Sequence, residues 1–323
     1  MARPKVLIVG KIHRDGVALL ASADVETVYL DQADEAAVAA AARDADAILL
    51  RTSRLGAAAI ADAKHLRVVS RHGVGYDNVD LDAMNTAGIP LTIVGPVNAV
   101  SVAEQTMFLI LAAMKQGIAY DRATREGRWS FRDSLRAGEV AGKTLLVIGY
   151  GRIGRAVARI ARAFDMRIAA FDPFQTAPAE DDLRWFASLP EALAAADVVS
   201  LHVPLTAQTR HLIDAAALSV MKPGAVVICT ARGGIVDEDA LADALVAGRL
   251  RGAGLDVFAE EPFPAGHRLA ALDSVVLSPH SAALTEECAA RMASVAAQNC
   301  LDGLAGRLDP ALVVNPQTLK SGG

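Results

Sequence analysis

A chain of 323 residues that is 53% hydrophobic and 21% charged is long enough for two domains with sizeable cores. Aromatics at only 4% leave Ala, Val, Leu and Ile to fill those cores, which suits helices packed on parallel strands. The formal net charge of -5 speaks against a general nucleic-acid binder, which carries a basic face. No apolar run reads as long enough to span a membrane, and no secretory pattern precedes the first strand-like run at 6–9. Cys229, Cys288 and Cys300 show neither metal-ligand nor disulfide-framework spacing, so a reduced, cytoplasmic protein without a metal is expected.

Along the chain, short apolar runs alternate with Ala-rich amphipathic stretches. In the first third, 5–9, 25–30, 47–51, 67–70 and 91–94 read as strands, with helices between them such as 34–43 and 56–63. That alternation predicts βαβ units and a parallel sheet. An apolar helix follows over about 100–117, with Ser101 as its N-cap and Glu104 three positions on. The stretch 121–138 is charged but holds Trp129 and Phe131, and reads as a linker helix and an excursion. A second series gives strands at 144–148, 167–171, 198–202, 225–229, 252–257 and 275–277. A last helix, about 285–304, and the tail Leu312-Val313-Val314 come after that series and are expected to return to the first domain. The expected organisation is therefore a domain of 100–284 inserted in a domain made of 1–99 and 285–323. Crossovers near 98–101 and 282–286 would form a hinge beside a ligand cleft.

The second series opens on a strand, the turn Gly149-Tyr150-Gly151-Arg152-Ile153-Gly154, and a helix. In that setting the three glycines have distinct tasks: Gly149 permits the tight turn, Gly151 admits a pyrophosphate to the backbone, and Gly154 lets helix and strand pack closely. The helix N-terminus offers unpaired N–H groups to the anion. Asp172 ends the next strand, close to the spacing expected of the acid that grips the adenosine ribose. Its charge would repel a 2′-phosphate, and Pro173-Phe174-Gln175 brings no arginine after it, so NAD is expected rather than NADP.

Three later segments place reactive side chains at predicted strand ends, the edge where doubly wound sheets bind ligands. They are Cys229-Thr230-Ala231-Arg232-Gly233-Gly234, Asp256-Val257-Phe258-Ala259-Glu260-Glu261-Pro262 and Ser278-Pro279-His280-Ser281-Ala282. With His72-Gly73-Val74-Gly75-Tyr76-Asp77-Asn78-Val79-Asp80, Ser101-Val102-Ala103-Glu104 and Leu201-His202-Val203-Pro204-Leu205-Thr206, nearly the whole chain resembles the D-isomer-specific 2-hydroxyacid dehydrogenases. The fold expected is α/β, with two doubly wound parallel-sheet domains: a Rossmann NAD-binding domain inserted in a flavodoxin-like substrate domain.

The resemblance implies a catalytic set of Arg232, Glu261 and His280. A histidine titrating near neutrality can give or take the proton at the C2 oxygen of a hydroxy acid. A carboxylate beside it fixes the tautomer and favours the imidazolium, and a planar guanidinium suits the substrate's carboxylate and carbonyl oxygens. On the residues alone Glu260 rivals Glu261; the family's Glu-Pro pattern selects Glu261. By the same resemblance Arg152 and Ile153 meet the pyrophosphate, Val203, Thr230 and Asp256 line the nicotinamide side, and Ala282 lies near the carboxamide. Val74 and Gly75 would face cofactor and substrate, and glycine at 73 and 75 would expose N–H groups to a substrate carboxylate.

Arg51, Arg54 and Arg71 stand at or just after predicted strand ends, and their contexts resemble the phosphoglycerate dehydrogenase branch. Arg51 and Arg71 are therefore expected to meet a second anionic group on a small 2-hydroxy or 2-keto acid. With the sequence ending at Gly323, that branch's regulatory domain is not expected. Gln105 and Cys229 stand where many relatives carry histidine and asparagine. Glyoxylate/hydroxypyruvate reductase is the alternative within enzymes, and an NAD(H)-sensing, co-repressor-like binding protein the alternative outside them. Formate dehydrogenase fits less well, because it needs no proton-shuttling histidine. The helix after Val100 is apolar on more than one face (Val102, Ala103, Met107, Phe108, Leu109, Ile110, Leu111 and Met114), which predicts a homodimer through the cofactor domain.

Overall fold

Runs such as Lys5–Val9 and Ala47–Leu50 become strands because nearly every side chain in them is buried, as in a parallel sheet covered on both faces. The computed structural model describes residues 3–31, 33–177 and 182–319. The first elements are β1 (Lys5–Val9), α1 (Arg14–Ala21), β2 (Glu26–Leu30), α2 (Glu35–Ala42), β3 (Ala47–Leu50), α3 (Ala57–Asp62), β4 (Val68–Arg71), α4 (Leu81–Ala87) and β5 (Leu91–Thr92). Then come α5 (Ala99–Lys115), α6 (Gly117–Arg125), β6 (Thr144–Ile148), α7 (Arg152–Arg162), β7 (Arg167–Phe171), β8 (Leu183–Trp185), α8 (Leu189–Ala195) and β9 (Val198–Leu201). The last are α9 (Ala215–Val220), β10 (Val226–Cys229), α10 (Glu238–Val246), β11 (Gly252–Leu255), β12 (Val275–Leu277) and α11 (Glu286–Ala305).

The chain divides into two compact units, one of Met1–Asn98 with Leu284–Gly323 and one of Ala99–Ala283. The sheet of the first unit runs β2-β1-β3-β4-β5, all parallel, which is the flavodoxin-like order. α11, capped by the Thr285 side chain on Cys288 N–H, packs on α1, β3 and β4. The tail lies along β5: Val314 N–H donates to Leu91 O at 2.8 Å, and the buried Asn315 accepts from Leu91 N–H at 2.8 Å.

The sheet of the second unit runs β12-β11-β10-β9-β6-β7-β8, again parallel. Counted within the unit this is the Rossmann order with one strand added, and the order reverses between β6 and β9. The sequence reading missed β8. It is a three-residue edge strand whose middle residue, Arg184, is exposed, so it carries no apolar run to read.

Two expectations about α5 are corrected. The helix begins at Ala99, so Ser101 is not its N-cap; it lies buried inside the first turn and donates to Ala282 O at 2.8 Å. The stretch Gly95–Lys115 is also long and apolar enough, by length and composition alone, to cross a membrane, contrary to the sequence reading. It is a core helix: Ala103, Met107, Leu109, Ile110, Ala113 and Met114 are buried within the unit, against β10, β11, β12 and α7. That also absorbs most of the apolar surface from which a second copy was inferred. The stretch 121–138 resolves into the end of α6 and a 3-10 helix at Trp129–Ser134.

In the first unit α1 and α11 approach closely at Gly16. A Cβ there would stand 2.6 Å from Ala293 O and 2.8 Å from Ala293 Cβ, and the obstruction is backbone that cannot swing aside. Gly16→Val is expected to destabilise the first unit by about 1–3 kcal/mol through overpacking, read as a lowered urea midpoint. An unchanged midpoint would show that the two helices do not meet there.

Candidate active site

The edge of the second unit's sheet at which the parallel strands end is built first by the glycine turn after β6. Gly149 has a φ of 89°, and a Cβ on it would meet His202 O at 2.7 Å; a Cβ on Gly154 would meet Gly149 O at 2.2 Å. Gly151 is different, since a Cβ there would meet nothing within 4 Å. Backbone and helix therefore crowd two of the glycines, and the third faces open space. Gly151 is also the N-cap of α7 and supplies no side-chain cap, so the N–H groups of Arg152 and Ile153 keep no intrahelical partner. An open glycine at an uncapped helix start is what a dinucleotide pyrophosphate requires, and the residues present fit that group.

Asp172 closes the turn from the end of β7. Its Oδ2 accepts from Tyr150 N–H at 2.9 Å and its Oδ1 from Phe174 N–H at 3.0 Å. Each oxygen keeps a further lone pair for a ribose hydroxyl. One neighbour escaped the sequence reading. Arg155, on the first turn of α7, lies over the Tyr150 ring at 5.0 Å, donates to Tyr150 O at 3.1 Å and binds Gln175 Oε1 at 2.9 Å. A guanidinium thus reaches this corner from the helix, although none follows Asp172 in the chain.

The catalytic candidates sit on three neighbouring strands, Arg232 after β10, Glu261 after β11 and His280 after β12. His280 Nδ1 and Glu261 Oε2 are 2.8 Å apart. Glu261 is the partner, and its second oxygen accepts from Phe258 N–H at 3.0 Å, so the carboxylate is fixed before it meets the imidazole. Half of the His280 side chain is exposed (49%), which leaves the ring accessible to a reactant. Arg232 is half-buried, and its Nη1 donates to Ala231 O at 2.7 Å. The loop carrying it lies directly on the loop leading to Glu261, because a Cβ at Gly233 would fall on the Phe258 carbonyl. Cys229 acquires a task here: its buried thiol donates to Arg232 O at 3.6 Å, and burial pushes the thiol up to about 11, so it stays protonated and can donate.

Four further candidates of this unit follow the ends of β9, β10, β11 and β12. Thr230 Oγ1 is 3.0 Å from Thr106 Oγ1, and both are buried. Val203 is partly exposed after β9 and Ala282 is buried. Asp256 is fully buried, and its carboxylate accepts from Ser278 Oγ at 2.6 Å, Ser281 N–H at 2.9 Å and Ala282 N–H at 2.9 Å. Its first duty is therefore to the chain around His280.

In the first unit, Arg51 and Arg71 stand at the ends of the neighbouring strands β3 and β4. Arg51 Nη1 donates to Lys11 O at 3.1 Å; Arg71 donates from Nε to Asn78 Oδ1 at 3.2 Å and from Nη1 to His72 O at 2.6 Å. Asn78 also donates to Ser53 O at 2.8 Å, so it ties both strand-end loops together. Sequence reasoning had it only as part of a motif. Arg54 is exposed and pairs with Glu35 at 3.6 Å. The expectation for Gly73 is corrected: its N–H donates to Arg71 O at 2.8 Å and is not open to a ligand. Val74 and Gly75 N–H have no partner among the described residues.

His72 lies under these arginines, 6% exposed, with Nε2 buried and unpaired. Burial, and then the charges of Arg51 and Arg71, push its pKa down to about 4. It is neutral at physiological pH and so adds no third cation to the pair.

Known proteins resemble this chain along its length. A family model described as D-isomer specific 2-hydroxyacid dehydrogenase, NAD binding domain, matches residues 107–282. The D-3-phosphoglycerate dehydrogenase of Mycobacterium tuberculosis (strain ATCC 25618 / H37Rv) is 41% identical over 315 residues, 97% of this chain and 59% of that protein. The chain thus spans about three fifths of the length of the first curated relatives it matches. The glyoxylate reductase of Thermofilum pendens (strain DSM 2475 / Hrk 5) is 38% identical over 330 residues, 99% of this chain and 97% of that protein. The crystal structure of a Thermus thermophilus protein has a TM-score of 0.90 and 35% identity, covering 96% of this chain and 99% of that one.

The His72 environment sets a pH dependence. The unfolded chain takes up this proton near 6.5 and the folded chain only near 4. Between those values the unfolded state binds more protons, so stability falls as pH falls through that window. From pH 7 to pH 5 the loss attributable to His72 is about 2 kcal/mol. Urea unfolding of His72→Leu at both pH values should show a loss smaller by about that amount. Equal losses in both proteins would contradict this environment.

Proposed function

Because the chain belongs to the D-isomer specific 2-hydroxyacid dehydrogenase family, we propose that it is an NAD-dependent 2-hydroxyacid dehydrogenase, or 2-keto acid reductase in the other direction. The observation that carries the reading is the 2.8 Å contact between His280 and Glu261. It stands at the same sheet edge as the open Gly151 and the uncapped start of α7. When bound at Gly149–Gly154 with its ribose at Asp172, NAD supplies or accepts the hydride at C2 of the substrate.

The chain's own residues then handle charge and protons. Glu261 holds the proton of His280 on Nδ1 and stabilises the imidazolium, which leaves Nε2 to exchange a proton with the C2 oxygen. In reduction Nε2 gives its proton as the carbonyl becomes a hydroxyl; in oxidation it takes the proton back. Arg232 pairs with the substrate's carboxylate and polarises its carbonyl, a task suited to a fixed planar donor. In the first unit the reading assigns the N–H groups of Val74 and Gly75 to the substrate carboxylate. Thr230, Val203, Asp256 and Ala282 line the nicotinamide, with Asp256 already committed to the loop of His280.

For the substrate we take a D-2-hydroxy acid with a second anionic group, like 3-phosphoglycerate, held by Arg51 and Arg71. The phosphoglycerate dehydrogenase relatives favour this. Two observations favour glyoxylate or hydroxypyruvate instead: the glyoxylate reductases match over nearly their full length, and both arginines already donate to their own unit. The three cysteines are free and buried, which fits a reduced, cytoplasmic setting. A homodimer through the second unit is proposed on its exposed apolar side chains, Phe108, Trp129 and Leu135.

Oxidation of NADH should be seen with 2-keto acids, faster than with NADPH. His280→Asn should lower kcat/KM by about 10²- to 10⁴-fold, the range of a lost general acid. Tight NADH binding with no turnover on any 2-keto acid would favour a sensor and sink the enzyme reading. Equal kcat/KM for 3-phosphohydroxypyruvate and glyoxylate would remove the second-anion requirement while keeping the reaction class. Light scattering should give a dimer mass; a monomer would refute the dimer.

A further inference from the structure

Gln105, one of the two departures from the family pattern, has no part in the reaction described above. Its position in the second unit gives it one. α5 runs over the end of β11: a Cβ on Gly254 would meet Leu109 Cβ at 2.8 Å, so the bare glycine seats the helix on that strand. One to two turns nearer the helix start, three polar side chains reach the loops on either side. Ser101 donates to Ala282 O at 2.8 Å, Gln105 Nε2 donates to Ser278 Oγ at 3.1 Å, and Thr106 meets Thr230 at 3.0 Å.

The loop between Ser278 and Ala282 needs such anchoring. His280 sits at its centre with a φ of 50°, a left-handed backbone that is strained for a non-glycine residue. Its N–H is held by Asp256 O at 2.7 Å, and the Asp256 carboxylate binds Ser281 N–H, Ala282 N–H and Ser278 Oγ. Ser278 has a single proton, and that proton goes to Asp256 only if the hydroxyl is not turned elsewhere. The Gln105 amide fills the acceptor side of the same oxygen and so sets the direction: Gln105 to Ser278, Ser278 to Asp256. A polarised chain of this kind strengthens each link. α5 thereby grips the loop at both ends, at 278 through Gln105 and at 282 through Ser101.

We propose that Gln105, acting through Ser278 and Asp256, is a positioning residue that holds the loop of His280 in the strained backbone its role requires. The proposal rests on the dehydrogenase reading for its kinetic consequence, but the anchoring itself does not depend on it. A side chain that merely filled space on α5 could be replaced by a leucine of similar size without effect on His280.

The test uses the intact chain and three proteins: wild type, Gln105→Leu and Gln105→His. The histidine keeps a ring N–H donor for Ser278, whereas the leucine has none. Gln105→Leu is expected to lower kcat by about ten- to hundredfold, the scale of a displaced reacting group, with the Kd for NADH within about twofold of wild type. Hydrogen exchange at the amides of Ser281 and Ala282 should quicken in Gln105→Leu, and Gln105→His should restore both exchange and kcat to within about threefold of wild type. Unchanged exchange in Gln105→Leu overturns the anchoring, and so does a fall in kcat that Gln105→His leaves unrescued. If wild type turns over no 2-keto acid, the functional reading fails, and the exchange rates alone still decide the anchoring.

Discussion

In a parallel sheet every strand ends on the same edge, and that constraint gathers the candidate residues of the second unit. Right-handed βαβ connections return each strand in the same direction. The glycine turn after β6, Asp172 after β7, Arg232 after β10, Glu261 after β11 and His280 after β12 therefore need no further arrangement to share an edge. The reversal of strand order between β6 and β9 opens that edge where a dinucleotide lies.

What the sheet leaves undecided is the aim of each side chain, and buried polar groups settle it. A fully buried carboxylate at Asp256 is tolerable only because three donors meet it, and those donors belong to the loop that presents His280. Glu261 is held by Phe258 N–H, and the Arg232 carbonyl by the Cys229 thiol. The imidazole and the guanidinium thus stand on loops whose shape is fixed by hydrogen bonds beneath them, which is how a site becomes preorganised.

Most of this could be read from the amino acids. Strands buried on both faces appear as plain apolar runs, and the glycine turn carries its meaning through the strand and helix on either side of it. Glu261 and His280 were singled out by the resemblance to the family, whose Glu-Pro pattern selected Glu261 over Glu260; the structure adds the 2.8 Å contact between them. What stayed hidden depends on tertiary neighbours. Ser101 looked like a cap because serine so often is one, but its partner is Ala282, 181 positions on. Arg155 reaches the Asp172 corner from the first turn of α7, directly after Gly154, so a search of the residues following Asp172 could not find it. The engaged N–H of Gly73 and the linking role of Asn78 depend on how Arg71 folds back. β8 was lost because a short edge strand with an exposed arginine has no periodic signal.

The most direct measurement of the central claim is to follow the hydride itself. The chain would be supplied with NADH carrying deuterium at both C4 positions and a 2-keto acid, and the product examined by mass spectrometry. The account predicts deuterium at C2 of a D-2-hydroxy acid, and near-complete loss of product with His280→Asn. Product without deuterium at C2, or product formed as readily by His280→Asn, would contradict it.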